Sequence, residues 1–166
     1  SNWDELQKIC LFLEEHDAVM NENAGGHIHI GSQILKGNIH YWRQFLKMYM
    51  IYEKDLLYFL FGEMKEGRKG LCFYAPPIAN ILYQELDTLN RCTSFEDIFY
   101  QVLPKDRNEA INFNNVSLLD SIKRLGNTIE FRSPNGTSKA IVWQNNVNTV
   151  TKLMLAARNK KIDEDF

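Results

Sequence analysis

The chain has 166 residues, of which 45% are hydrophobic and 24% charged, with a formal net charge of −2. This length and apolar content suit one domain with a real core and exclude a disordered chain. The near-balanced charge excludes a general attraction to nucleic acid or to an anionic membrane, so any anion site must be local.

The opening Ser1-Asn2 has no initiator Met and resembles the remnant of a removed expression tag, so no functional argument rests on it. Asn2 can cap a helix running to about His16, in which Trp3, Leu6, Ile9, Cys10 and Leu13 recur at helical spacing and Asp4 and Glu5 sit near the positive end. Charges spread over Trp3 to His16 do not fit a secretory signal, and no apolar run approaches the roughly 20 residues of a bilayer span. Cys10, Cys72 and Cys92 are odd in number and lie in no zinc spacing, which points to free thiols in a reducing, cytoplasmic setting.

Asn21 to Gly26 is turn-forming and leads into a strand over Gly25 to Gly31. Successive strand side chains alternate, so His27 and His29 share one face while Ile28 and Ile30 share the other. Ile39 to Phe61 reads as a long central helix with Trp42, Phe45, Leu46, Tyr49, Met50, Leu57 and Leu60 on its apolar face. Arg43, Lys47, Glu53, Lys54 and Asp55 interrupt that segment too often for a membrane span. The charged, glycine-bearing run from Glu63 to Gly70 is expected as an exposed loop.

Pro76-Pro77 precedes a short helix through about Leu86, and Thr93-Ser94-Phe95-Glu96 has capping-box spacing for another through about Val102. Ile111 to Val116 alternates apolar and amide residues like a half-buried strand, and Gly126-Asn127 introduces a second strand, Thr128 to Arg132. There Thr128, Glu130 and Arg132 project one way, Ile129 and Phe131 the other. Thr137 or Ser138 can cap a final helix to about Arg158, and the charged tail from Asn159 to Phe166 is expected to fray. The fold class is therefore α+β: a small, mostly antiparallel sheet with helices packed on one face, and His27, His29, Glu130 and Arg132 on the other.

Those four residues carry the chemistry. Imidazole suits transition metals and carboxylate suits harder cations, so a mixed His and Glu set leans toward Mn²⁺ or Mg²⁺ accompanied by phosphate. Arg132 presents a planar fork that matches phosphate or carboxylate. An ordinary Glu130–Arg132 surface pair is the plainer alternative. His16 and His40 match no motif and read as structural or surface residues.

Gly25-Gly26-His27-Ile28-His29 resembles the Gly-x-His-x-His strand of the glutamine synthetase and glutamate-cysteine ligase superfamily, and Thr128-Ile129-Glu130-Phe131-Arg132 resembles its Ile-Glu-x-Arg strand. With Asn114 between them and the Gly136-Thr137 turn behind, the chain is most similar to the amidoligase branch, over most of residues 23 to 158. The resemblance implies an ATP-dependent enzyme that phosphorylates a carboxylate and lets an amine displace the phosphate. It makes His27 and Glu130 ligands of Mg²⁺ or Mn²⁺, places His29 by the nucleotide phosphates, and has Arg132 clamp the γ-phosphate or the carboxylate. Asn114 would be a polar contact to nucleotide or substrate.

The family's earlier Glu-x-Glu strand has no counterpart before His27, since Glu14-Glu15 falls in a helix and Glu22 in a turn. The whole chain then reads as a single domain forming the C-terminal part of a longer amidoligase, with a partial glutamine-synthetase-like sheet and an incomplete site. An open sheet edge would let two copies associate. The partners expected are a small-molecule or peptide carboxylate and an amine, with no nucleic acid and no membrane. Two other readings stand beside the ligase: an inactive scaffold or interaction module on the same fold, and a metal-dependent hydrolase using His27, His29 and Glu130.

Overall fold

A computed structural model of the chain describes residues 2–18, 21, 23–61, 70–118 and 127–159. In chain order the elements are α1 (Asn2–Glu15), β1 (Ile28–Gly31), α2 (Ile39–Leu60), α3 (Leu71–Tyr74), α4 (Ala79–Gln84), α5 (Leu86–Arg91), α6 (Phe95–Gln101), β2 (Ile111–Asn112), β3 (Thr128–Phe131) and α7 (Ala140–Arg158). The strands form one antiparallel sheet in the order β1-β3-β2. This is the α+β architecture that the alternating and helical patterns predict. None of the described helices is long and apolar enough to cross a membrane.

Register follows from burial. On one side of β3, Ile28 pairs with Phe131 and His29 with Glu130; on the other, Ile111 pairs with Phe131 and Asn112 with Glu130. Cross-strand partners share a face, so Ile28, Phe131 and Ile111 form an apolar row, at most 5% exposed, against the helices. A one-residue slip of any strand would turn these side chains to solvent, which pins the pairing. Phe131 meets Phe45 of α2 edge to face, with centroids 6.5 Å apart, and Phe45 in turn lies near Trp42 and Tyr49. α2 is thus the central helix its spacing implies, and α7 packs beside it.

Several local expectations shift. The sequence Ala79 to Arg91 forms two short helices broken at Glu85, not one ending near Leu86. The capping box belongs to Ser94 and Asp97, one residue later than Thr93 and Glu96: the Ser94 hydroxyl accepts from the Asp97 N–H and the Asp97 carboxylate from the Ser94 N–H. Two bonds from Thr93, one from its N–H and one from its hydroxyl, followed by those with Ser94, hold the Asp97 carboxyl below its ordinary value.

At α7 neither Thr137 nor Ser138 caps. The cap position is Lys139, whose N–H is taken by the Thr137 hydroxyl, while Ser138 donates to Glu14 on α1. The strand expected over Ile111 to Val116 stops at Asn112, because Asn114 and Asn115 turn outward and leave Phe113 and Val116 as buried plugs. Asn2 lies inside α1, so the cap it was expected to supply falls at position 1, outside the described residues, as do most of the Glu63 to Gly70 loop and residues 160–166 of the tail.

Glu53, one of the charges that interrupt the α2 segment, is 3% exposed. Its two oxygens accept the N–H groups of Ile78 and Ala79 at 2.7 Å each, tying the start of α4 to α2. Burial raises its carboxyl, and these bonds together with one from the Tyr49 hydroxyl oppose the rise. Burial, and then Glu53, push the Tyr49 phenol well up.

Nearby Glu109 is 7% exposed, and its Oε2 has no hydrogen-bond partner among the described residues. Burial first, then the charges of Asp106 and Glu53, push this carboxyl from 4.5 up to about 7. Below pH 4.5 Glu109 is protonated both folded and unfolded. As pH rises to about 7 the unfolded chain releases this proton first, so the folded state loses stability across that window. Glu109→Gln is therefore expected to gain about 1–2 kcal/mol at pH 8 and nothing below pH 4.5, measured by urea unfolding at both pH values.

Candidate functional site

On the sheet face turned away from the helices, one carboxylate collects the polar groups. Glu130 sits on the middle strand with its side chain 8% exposed, and its Oε1 lies 2.7 Å from His27 Nδ1 and 3.8 Å from His29 Nε2. Arg132 Nη1 donates to the same oxygen at 3.2 Å. The imidazoles are 43% and 45% exposed, so the acid forms the floor and the histidines the rim. An isolated carboxylate at this depth would be several kcal/mol unfavourable, and three close nitrogens offset that.

The backbone explains the convergence. His29 is the direct cross-strand partner of Glu130, which brings their side chains together on one face. His27 precedes β1 and is held by a second clamp: Gly26 N–H donates to the Pro134 carbonyl at 2.8 Å, and Gly25 bridges Asn135. Gly26 has to be glycine here, because a Cβ would fall 2.1 Å from the Trp143 ring of α7. Arg132 follows β3. Its N–H donates to the Ala110 carbonyl at 2.9 Å, and Nη2 reaches the Tyr74 carbonyl at 3.4 Å. His29 Nδ1 lies 3.1 Å from the Thr128 hydroxyl, which orients its ring.

The other oxygen of Glu130 belongs to a residue that sequence reading passed over. Asn112 Nδ2 donates to Oε2 at 2.7 Å, while Asn112 Oδ1 accepts from the Asn114 N–H at 2.9 Å. The second bond fixes which way the amide faces, so Oε2 is held and Oε1 is the oxygen left toward the histidines and Arg132. Asn114, the amide expected at the site, is exposed in the turn and contributes only its backbone N–H to this network. Positions 112 and 114 share one face in an extended strand, so periodicity alone does not separate them. The register with Glu130 does.

His16 and His40 are exposed, and neither joins this cluster. Glu14 and Glu15 lie exposed on α1, as the helical pattern implies. Cys10 and Cys92 are buried free thiols.

The donor set can be tested against a divalent cation. Among the described residues no group of three or more His, Cys, Asp or Glu side chains is arranged to hold one. One carboxylate oxygen with His27 in contact is a partial shell, of the kind that hard cations complete with substrate phosphate oxygens and water. The donor set among the described residues does not make a self-sufficient protein cage.

A model of the family described as "Putative amidoligase enzyme" matches residues 1–154. Neither the curated proteins nor the solved structures contain a match to the chain.

Proposed function

Because the chain belongs to the amidoligase family, we propose that it serves as an ATP- and divalent-metal-dependent ligase joining a carboxylate to an amine through an acyl phosphate. The observation that carries this reading is the meeting of His27, His29 and Arg132 on a single oxygen of Glu130. A carboxylate on the floor and a guanidinium beside it form a place where an anion and its counter-cation can be bound together.

In the proposed reaction the carboxylate oxygen of the substrate bonds to the γ-phosphorus of ATP, and the bond from that phosphorus to the bridging oxygen of ADP breaks. The amine nitrogen then bonds to the acyl carbon, the carbon–oxygen bond to phosphate breaks, and the amine's proton passes to water. Arg132 balances charge on the transferring phosphoryl oxygens or on the carboxylate being activated, and its bond to Glu130 fixes its approach. His29, oriented at the rim by Thr128, would face the nucleotide phosphates. His27 and Glu130 would hold a Mg²⁺ or Mn²⁺ ion, which when bound supplies further charge neutralisation for the phosphates. Asn112 keeps the Glu130 carboxylate from rotating away. The rate enhancement rests on positioning and electrostatics.

Two measurements test this. ADP release by the full-length protein should require a carboxylate and an amine together; release with water as the only acceptor would remove the ligase reading. Calorimetry of this chain with Mn²⁺ or Zn²⁺ should give dissociation constants of about 0.1 mM or weaker without nucleotide, and at least about tenfold tighter with ATP. Tight binding of the bare ion would favour the hydrolase reading instead.

A further inference from the structure

At the end of the sheet beyond Gly31 and Thr128 lies a cleft of about 460 Å³, a volume within the range of small-ligand sites. Its apolar wall includes Trp42, Phe95 and Val116, with the Trp42 and Phe95 rings stacked at a centroid distance of 4.7 Å. Its charged wall includes Lys36 and Glu96, neither of which forms an ion pair among the described residues.

Lys36 is held in an unusual conformation. Its φ of +52° lies in the left-handed region, where glycine and asparagine sit far more readily than lysine. The turn is fixed from inside, since the Lys36 carbonyl accepts the Trp42 Nε1–H at 2.9 Å and Asn38 caps α2 immediately after. A backbone that would be easier to build with glycine instead carries a cation at the lip of a cavity. Retained backbone strain of this kind is a reason to ask what the side chain does.

Gln33 connects this cleft to the histidine and glutamate cluster. Gly31 follows His29 by two residues on β1, so both share the polar face. A Cβ at position 31 would lie 2.3–2.5 Å from the Gln33 carboxamide, so that amide covers the sheet at Gly31 while also lining the cleft. One two-residue step along a strand is roughly 7 Å, which is the spacing along β1 from His29 to Gly31.

We propose that the cleft binds a zwitterionic α-amino acid with an aliphatic or aromatic side chain. Lys36 takes the carboxylate, Glu96 takes the ammonium, and the side chain rests against Phe95 and Val116. Its role as a substrate rests on the ligase reading above, whereas the binding does not.

The test is a titration of the full chain followed by amide NMR, using L-leucine, leucinamide, which lacks the carboxylate, and 4-methylpentanoate, which lacks the ammonium. L-leucine is expected to shift the Gln33, Gly37 and Ser117 amides saturably. Lys36→Asn, which suits the left-handed turn, should weaken L-leucine about tenfold or more and leave leucinamide unchanged, with Lys36→Arg restoring affinity. Glu96→Gln should weaken L-leucine and leucinamide and leave 4-methylpentanoate unchanged. Absence of saturable shifts at those amides up to about 20 mM L-leucine overturns the proposal. So does an equal loss of L-leucine and leucinamide in Lys36→Asn. L-leucine binding by a protein that releases no ADP under any condition would remove the ligase reading and leave the cleft assignment standing.

Discussion

Glu130→Gln is expected to lower carboxylate- and amine-dependent ADP release by at least about a hundredfold, the loss typical when a group that organises transition-state charge is neutralised. The substitution is nearly isosteric, and a glutamine oxygen can still accept from Asn112, so the sheet should persist. What disappears is the negative charge on which His27, His29 and Arg132 converge. Near-parental ADP release by Glu130→Gln, with the far-UV spectrum unchanged, would show that this carboxylate is not part of the reacting site. Asn112→Leu makes a useful contrast: it keeps the charge but frees Oε2. A smaller loss, of about tenfold, is expected there, expressed more in kcat than in the affinity for Mn²⁺.

Phe131→Ala is expected to be the most destabilising single change near the site, at about 3–4 kcal/mol by urea unfolding. Phe131 is 1% exposed, lies on the middle strand, and is flanked on both sides by Ile28 and Ile111. Removing its ring opens a cavity against Phe45 that α2 cannot close without moving away from the sheet. Since Phe131 stands between Glu130 and Arg132, the same cavity loosens both, and activity should fall by more than the folded fraction. Phe131→Leu, which keeps most of the volume, should recover half or more of the stability. A loss below about 1 kcal/mol for the alanine variant would mean that the core does not rest on this residue.

Much of this arrangement is legible in the sequence, for definite reasons. Period-2 alternation around His27 and Glu130 assigns which side chains face the helices, and the structure pairs those two segments side by side with that facing. The 22-residue α2 announces itself through the spacing of Trp42, Phe45, Leu46 and Tyr49, all of which are buried. What pattern reading misses depends on register or on long-range partners. Asn112 and Asn114 are equivalent until β2 is laid beside Glu130. Nothing in the local sequence singles out Glu53 among the charges of α2; its role is set by the N–H groups of Ile78 and Ala79, 25 and 26 residues downstream. The capping box is displaced because Ser94 and Asp97 have the same spacing as Thr93 and Glu96, and local sequence does not choose between them.

His29 and Thr128 touch across a sequence separation of 99 residues. Closing a loop of that length is entropically uphill and is offset by the apolar row beneath it, so the polar cluster is among the most non-local contacts of the fold. It has no partially assembled form worth keeping: a chain cut anywhere between the two strands holds imidazoles without their acid, or the acid without its imidazoles. Assembly of the polar cluster and completion of the sheet are, in this protein, inseparable.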